Sequence, residues 1–146
     1  MFSPMPWMAL GGRVGVAVLL GAMVGWEREL DQKAAGLRTN MLVSLGSALF
    51  VLVAIQSGLA AADPSSLGRC LQGVITGVGF VGAGSILREK HVRGLTSAAA
   101  VWVSAGLGMA AGLGQWPLGL MAAVLSIVIL RVVKRLEHRA AQRSQN

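Results

Sequence analysis

Tyrosine is absent from the sequence, cysteine occurs once and only six residues are acidic. Each scarcity removes a class of function. A single thiol, Cys70, excludes an internal disulfide. The two histidines, His91 and His138, lie in charged stretches without accompanying thiols, which argues against a zinc site. Six carboxylates are few for a cation that takes six or more oxygen ligands, and Glu27 with Asp31 is the one pair spaced to offer two to a metal. No Ser/His/Asp or Cys/His grouping suggests hydrolysis, so no enzyme activity and no cofactor are expected. Charged residues of both signs make up 13% of the chain, against about 25% in ordinary soluble proteins. So little charge cannot coat a domain that faces water on all sides.

What the chain has instead is hydrophobic residues, 54% of it, with a mean hydropathy of +0.65. Five apolar runs, at about residues 7–26, 39–57, 71–87, 94–114 and 116–133, are separated by charge or by turn residues. A bilayer core about 30 Å thick needs about 20 helical residues, so each run reads as a transmembrane helix, the third being the shortest. The fold class expected is all-α, a polytopic membrane bundle of five helices, with residues 1–136 as the membrane domain and 137–146 as a short basic cytoplasmic tail. The first run has no basic start and ends in WEREL rather than a small-residue cleavage site, so it reads as a span and not a signal peptide. Trp7, Trp26 and Trp116 fall near the expected interfaces, where indoles prefer to lie.

The net charge of +7 invites a nucleic-acid reading, but the cations sit in short clusters between apolar runs, not on a continuous basic face. Anionic lipid at the inner face is the expected partner and nucleic acid is not. Eleven of the thirteen cations fall on one side of the five spans. They are Arg28, Lys33 and Arg38, then Arg88, Lys90 and Arg93, then Arg131, Lys134, Arg135, Arg139 and Arg143. Only Arg13 and Arg69 fall on the other. Positive residues stay in the cytoplasm, which places the N-terminus outside and the C-terminus inside a bacterial inner membrane. Arg13, several residues into the first span, either snorkels to the outer interface or turns inward to pair with Asp63 or another polar group.

The run VITGVGFVGAGSIL contains Gly77, Gly79 and Gly82 at the spacing of a dinucleotide-binding turn. That motif needs a strand before it and a helix N-terminus in water after it, and neither is expected in an apolar run. In lipid, small residues four apart let helices approach closely. Gly21 with Gly25, Gly73 with Gly77 and Gly108 with Gly112 all have this spacing. The density of Gly79, Gly82 and Gly84 leaves two readings open for the third span: a straight glycine-rich packing face, or a broken helix shielded from lipid.

Two polar clusters carry the remaining chemistry. In GWERELDQKAAGLRTN, Glu27 with Asp31 and Glu29 with Lys33 are i,i+4 pairs, Gly36 suits a turn, and Arg38 and Thr39 open the second span. Glu27, at the membrane boundary, is expected either in weak surface pairs or paired with Arg38 or with Arg93 from the next inner loop. In REKHVRGLTSAAAVW, Arg88, Lys90 and Arg93 form a basic loop. Gly94, Thr96 and Ser97 follow, with Thr96 or Ser97 as a helix cap and an N-terminus that attracts an anion. Asp63 and Pro64, in DPS, read as an outer turn with a cap-like Asp or Ser before the third span.

Taken in order, GWEREL, AGLRTNMLVSLGSALF, DPS, GVGFVGAGSI and VRGLTSAAAVW resemble the MgtC/SapB family of bacterial inner-membrane proteins, from about residue 21 to 116. The resemblance implies a multi-span helical domain and a link to growth in low magnesium. For some members it also implies survival inside macrophages and inhibition of the F-type ATP synthase. An ATP synthase, or another copy of the chain, is thus an expected membrane partner. A small oligomeric ion transporter is the alternative. Matched by motif, the family's characteristic residues fall on Glu27, Arg28, Gly36, Arg38, Thr39, Asp63, Pro64, Gly79, Gly82, Gly84, Arg93, Gly94, Thr96 and Ala98. Virulence-type members carry a soluble C-terminal domain, whereas a short basic tail is expected here.

Overall fold

A computed structural model of the chain describes residues 4–88 and 92–143, without the side chains of 87, 88, 92 and 136–143. Six helices follow one another: α1 (Trp7–Leu30), α2 (Leu37–Gln56), the single turn α3 (Leu59–Ala62), α4 (Pro64–Ala83), α5 (Leu95–Gly112) and α6 (Trp116–Arg143). Between α4 and α5 a minimal antiparallel hairpin pairs β1 (Leu87–Arg88) with β2 (Val92–Arg93). The fold is an all-α bundle of membrane character. Four of its helices, α1, α2, α5 and α6, are long and apolar enough to cross a bilayer.

α1, α2 and α5 share the most extensive interfaces, and α5 touches every other long helix. The core they form is built from small side chains: Ala17, Ala48, Ala100, Ala111 and Ala123 lie among Leu20, Val24 and Leu107. Small residues allow the backbones to approach, and two of the three expected glycine pairs serve this purpose. A Cβ on Gly21 would lie 2.7 Å from the Asn40 carbonyl, and one on Gly25 would lie 2.8 Å from Leu37 Cα. Gly108 sits against the Ser44 backbone, and Gly112 would bring a Cβ to 3.0 Å from the Ala48 carbonyl. The third pair, Gly73 and Gly77, meets nothing within this chain, and neither does Gly79. Gly73 and Gly77 line an exposed α2/α4 groove, not a closed contact, and Gly79 is exposed.

The expected third span differs most from its sequence reading. α4 is a continuous helix through Gly77, Gly79 and Gly82, so the broken-helix reading does not hold, and Gly84 lies just past its end. It starts seven residues before the apolar run and stops four residues before that run's end. Asp63 explains the start: its carboxylate accepts from the Ser65 amide at 2.9 Å, with Pro64 in the first turn where a missing N–H costs nothing. The early start adds Arg69 to a helix that already carries Gln72, and α4 is not among the four helices apolar enough to span. It nonetheless runs the height of the bundle, from Cys70 beside the Phe50 carbonyl late in α2 to Gly82 against Ala98 early in α5. Most of its surface is exposed.

At the other extreme α6 is longer than its span. It continues helically to Arg143, through most of the segment read as a tail. Arg13 turns inward to a polar group, as the second reading has it: half-buried, it donates to the Gly112 carbonyl at 2.7 Å and so caps the C-terminal end of α5. Asp63 is instead paired with Arg69 at 2.6 Å.

Candidate functional site

The ends of α1 and α4 and the beginnings of α2 and α5 meet at one end of the bundle, against α6 near Arg131 and Lys134. Every basic cluster with described side chains converges there. α1 stops where Asp31 forms its C-cap and Gln32 takes a left-handed conformation, φ 51°. Glu29 then accepts a hydrogen bond from the Leu37 amide at 2.9 Å and serves the N-terminus of α2. Gly36 packs directly on that carboxylate, so a side chain there would push the Glu29 carboxylate off the Leu37 amide. The i,i+4 pairs expected along α1 are therefore not the ones formed.

The partners of Glu27 and Asp31 come from α6. Glu27 lies buried, and its Oε2 accepts from Arg131 Nε at 2.8 Å and Nη2 at 2.7 Å, a forked charge-assisted pair. Asp31 accepts from Lys134 at 2.5 Å. The Lys134 hydrogen bond, followed by the nearby charges of Lys134, Lys33 and Arg28, holds the Asp31 carboxyl below its ordinary range. The expectation that Glu27 meets Arg38 or Arg93 is thus corrected: both arginines are exposed, and α6 takes their place. A signal existed in the sequence. Glu27 and Asp31 lie one turn apart on α1, and Arg131 and Lys134 lie one turn apart on α6, a matched ladder of opposite charge. A divalent ion at Glu27 and Asp31 would have to displace both cations. No cluster of three metal-ligating side chains occurs among the described residues.

Arg28, between these carboxylates in sequence, points elsewhere. It is 4% exposed, donates from Nη2 to Ser97 Oγ at 2.9 Å, and leaves Nε buried without a partner. Ser97 is therefore engaged by Arg28 and is no cap: the N-cap of α5 is Gly94, at φ 93°, with no side-chain hydrogen bond to the helix amides. Thr96 is exposed beside it. Gly94 fits because a Cβ there would run into the Ser85 carbonyl. Arg28, Asp31, Lys33, Thr96 and Ser97 border a cavity of about 500 Å³ walled on its far side by Ile129, Leu130 and Val133 of α6. A second cavity of about 460 Å³, reached by Arg93 and Ser85, shares Lys33, Gly94 and Ser97 with it.

Deeper in the bundle lies a polar column. Asn40, Ser44 and Ser104 are fully buried. Ser104 donates to Asn40 Oδ1 at 2.8 Å, Asn40 Nδ2 donates to the Gly36 and Ala35 carbonyls, and Ser44 donates to the Ala17 carbonyl at 2.6 Å. Each polar group ties one helix to another or closes a helix start, and none lines an open passage. Thr39 is half-buried at the start of α2. Asp63 and Pro64 stand at the opposite end of the bundle. Lys90, His91 and the side chains of Arg88, His138, Arg139 and Arg143 lie outside what the structure describes.

A helical membrane bundle with a charged latch at one end and a closed, hydrogen-bonded centre defines the class. The sequence model of the MgtC family matches residues 14–139, and the chain belongs to that family. It is 42% identical to Protein SrpB of Synechococcus elongatus over 92% of this chain and 80% of SrpB. It is 44% identical to Protein MgtC of Salmonella typhimurium over 87% of this chain and 52% of that protein. With the "Putative magnesium transporter YhiD" of Escherichia coli it shares 40% identity over 87% of this chain and 61% of YhiD. The chain thus spans about half the length of MgtC and about three-fifths of YhiD. No solved structure matches.

Proposed function

We propose that this multi-pass protein resides in the bacterial inner membrane and supports magnesium or energy homeostasis by gripping another membrane protein within the bilayer. The supporting observation is the outer face of α4. Gly68, Gln72, Thr76 and Gly79 follow one another at helical spacing and are exposed, and the α2/α4 groove beside them carries Gly73 and Gly77. Lipid gains nothing from a glutamine amide or a glycine notch, whereas a second helix fills both. An ATP synthase subunit and a second copy of this chain are the two occupants considered. The link to magnesium rests on the family and on the name that YhiD carries.

A photo-activatable residue at position 72 or 79, expressed in cells, tests the grip. It should give protein adducts, and the same residue at Leu125 on the outer face of α6 should not. Adducts to lipid alone at all three positions would overturn the reading. The YhiD name favours a second reading, a small transporter. Saturable Mg²⁺ flux into liposomes, lost in Arg38→Ala, would establish it, but the buried serine and asparagine groups are already consumed in helix-to-helix bonds.

A further inference from the structure

We propose that the inner end of the bundle holds a phosphate-type oxyanion, bound between the N-terminus of α5 and the guanidinium of Arg28. This goes beyond the partner reading and does not depend on it. The first observation is the α5 terminus. The earliest of its amides with a backbone partner is that of Ala98, which donates to the Gly94 carbonyl at 2.9 Å, and no side chain caps the amides before it. An uncapped N-terminus of an 18-residue helix presents N–H groups and the positive end of the helix dipole to the same point.

The second observation is independent of the first. Arg28 is 4% exposed, borders the larger cavity, makes no ion pair among the described residues, and keeps its Nε buried without an acceptor. Its one hydrogen bond is to Ser97 Oγ, which fixes the guanidinium beside the first turn of α5. Glu27 and Asp31, the nearby carboxylates, are each turned to an α6 cation. A buried guanidinium with no carboxylate bonded to it among the described residues gains from an anion that completes it, even with Asp31 bordering the same cavity. Lys33 and Arg93 stand at the mouths of the two cavities that share Gly94 and Ser97, so the entrance is positive as well. The planar fork of arginine suits the oxygens of a phosphate group, and the amides of a helix N-terminus suit a third.

The volume and the lining narrow the ligand further. A cavity of about 500 Å³ exceeds what a bare phosphate fills, and Ile129, Leu130 and Val133 make one wall of it apolar. A phosphate group that carries an organic substituent satisfies both halves. Such a group reaches this place from two sources: the headgroup of an anionic phospholipid, or free phosphate and its small esters.

The test uses the full chain purified in a zwitterionic-free, non-ionic detergent at constant ionic strength. Thermal unfolding is followed by tryptophan fluorescence during titration with inorganic phosphate and, in a parallel arm, with phosphatidylglycerol in mixed micelles. The wild type should show a saturable rise in unfolding midpoint in at least one arm. Saturation by inorganic phosphate assigns the free anion, and saturation by the lipid alone assigns the headgroup. Arg28→Gln should weaken the apparent affinity by about tenfold or more, the factor for one charge-assisted hydrogen bond. Because that variant alters a buried group, the exposed pair Lys33→Gln and Arg93→Gln gives a second readout: it should fold normally and bind several-fold more weakly. No saturable shift in either arm overturns the proposal. A shift that all variants retain in full also overturns it.

Discussion

At the residue scale, a missing side chain has opposite consequences at two glycines of similar sequence context. Gly108 lies against the Ser44 backbone, so a methyl group there must part α2 from α5. Gly77 faces open space. Gly108→Ala is expected to destabilise the bundle by about 1–3 kcal/mol through overpacking, while Gly77→Ala leaves the isolated chain within about 0.5 kcal/mol of the wild type. Denaturant titration of both variants in detergent checks the contrast. Asp63 supplies a second residue-level prediction. Arg69, then the Ser65 side chain and amide, hold its carboxyl down to about 2, from an ordinary 3.8. A group whose pKa falls on folding stabilises the fold above its unfolded value, and that contribution disappears as pH drops through its folded value. Stability should therefore decline between pH 3.8 and about 2, and Asp63→Asn should flatten that part of the profile measured by circular dichroism. The glycine spacing and the capping Asp were legible in the sequence because both are local. Which glycines find a neighbour was not legible: Gly73 and Gly77 have the same spacing as Gly108 and Gly112 and pack on nothing in this chain.

At the scale of elements, the latch between α1 and α6 joins two helices distant in sequence. Glu27 is buried and Arg131 is half-exposed, so the pair combines a desolvated carboxylate with a solvated guanidinium. Removing either partner alone leaves Glu27 or its surroundings uncompensated. Glu27→Gln and Arg131→Gln are each expected to loosen α6, and their losses to be less than additive in a double-mutant cycle. Additive losses would show that the latch is ornamental. The sequence marks the apolar runs, yet it offers Glu27 only weak surface pairs or a pairing with Arg38 or Arg93, and not its partner on α6. Charge pattern names which groups seek partners, but the crossing of α1 with α6 decides which ones arrive. The start of α4 shows a related limit. Hydropathy marks where lipid begins, whereas Asp63 and Pro64 mark where the helix begins, and the two points differ by seven residues.

For the whole molecule, four helices are long and apolar enough to cross, and α4 rises alongside them while carrying Arg69 and Gln72. If α4 crosses too, shielded along its polar side by a partner, the two ends of the chain lie on opposite faces. We propose that arrangement, with the C-terminus in the cytoplasm. Reporter fusions at the two termini should then report opposite sides, and a shared side would leave α4 lying outside the hydrocarbon. The convergence of Arg28, Lys33, Arg93, Arg131 and Lys134 at one end supports the cytoplasmic assignment of that end.

α6 has 28 residues, about 42 Å of rod at 1.5 Å per residue, where the hydrocarbon slab asks for about 30 Å. The surplus is helical, and Arg131 and Lys134 join that helix to α1. A pull on the protruding turns is therefore expected to reach the rest of the bundle first through those two ion pairs.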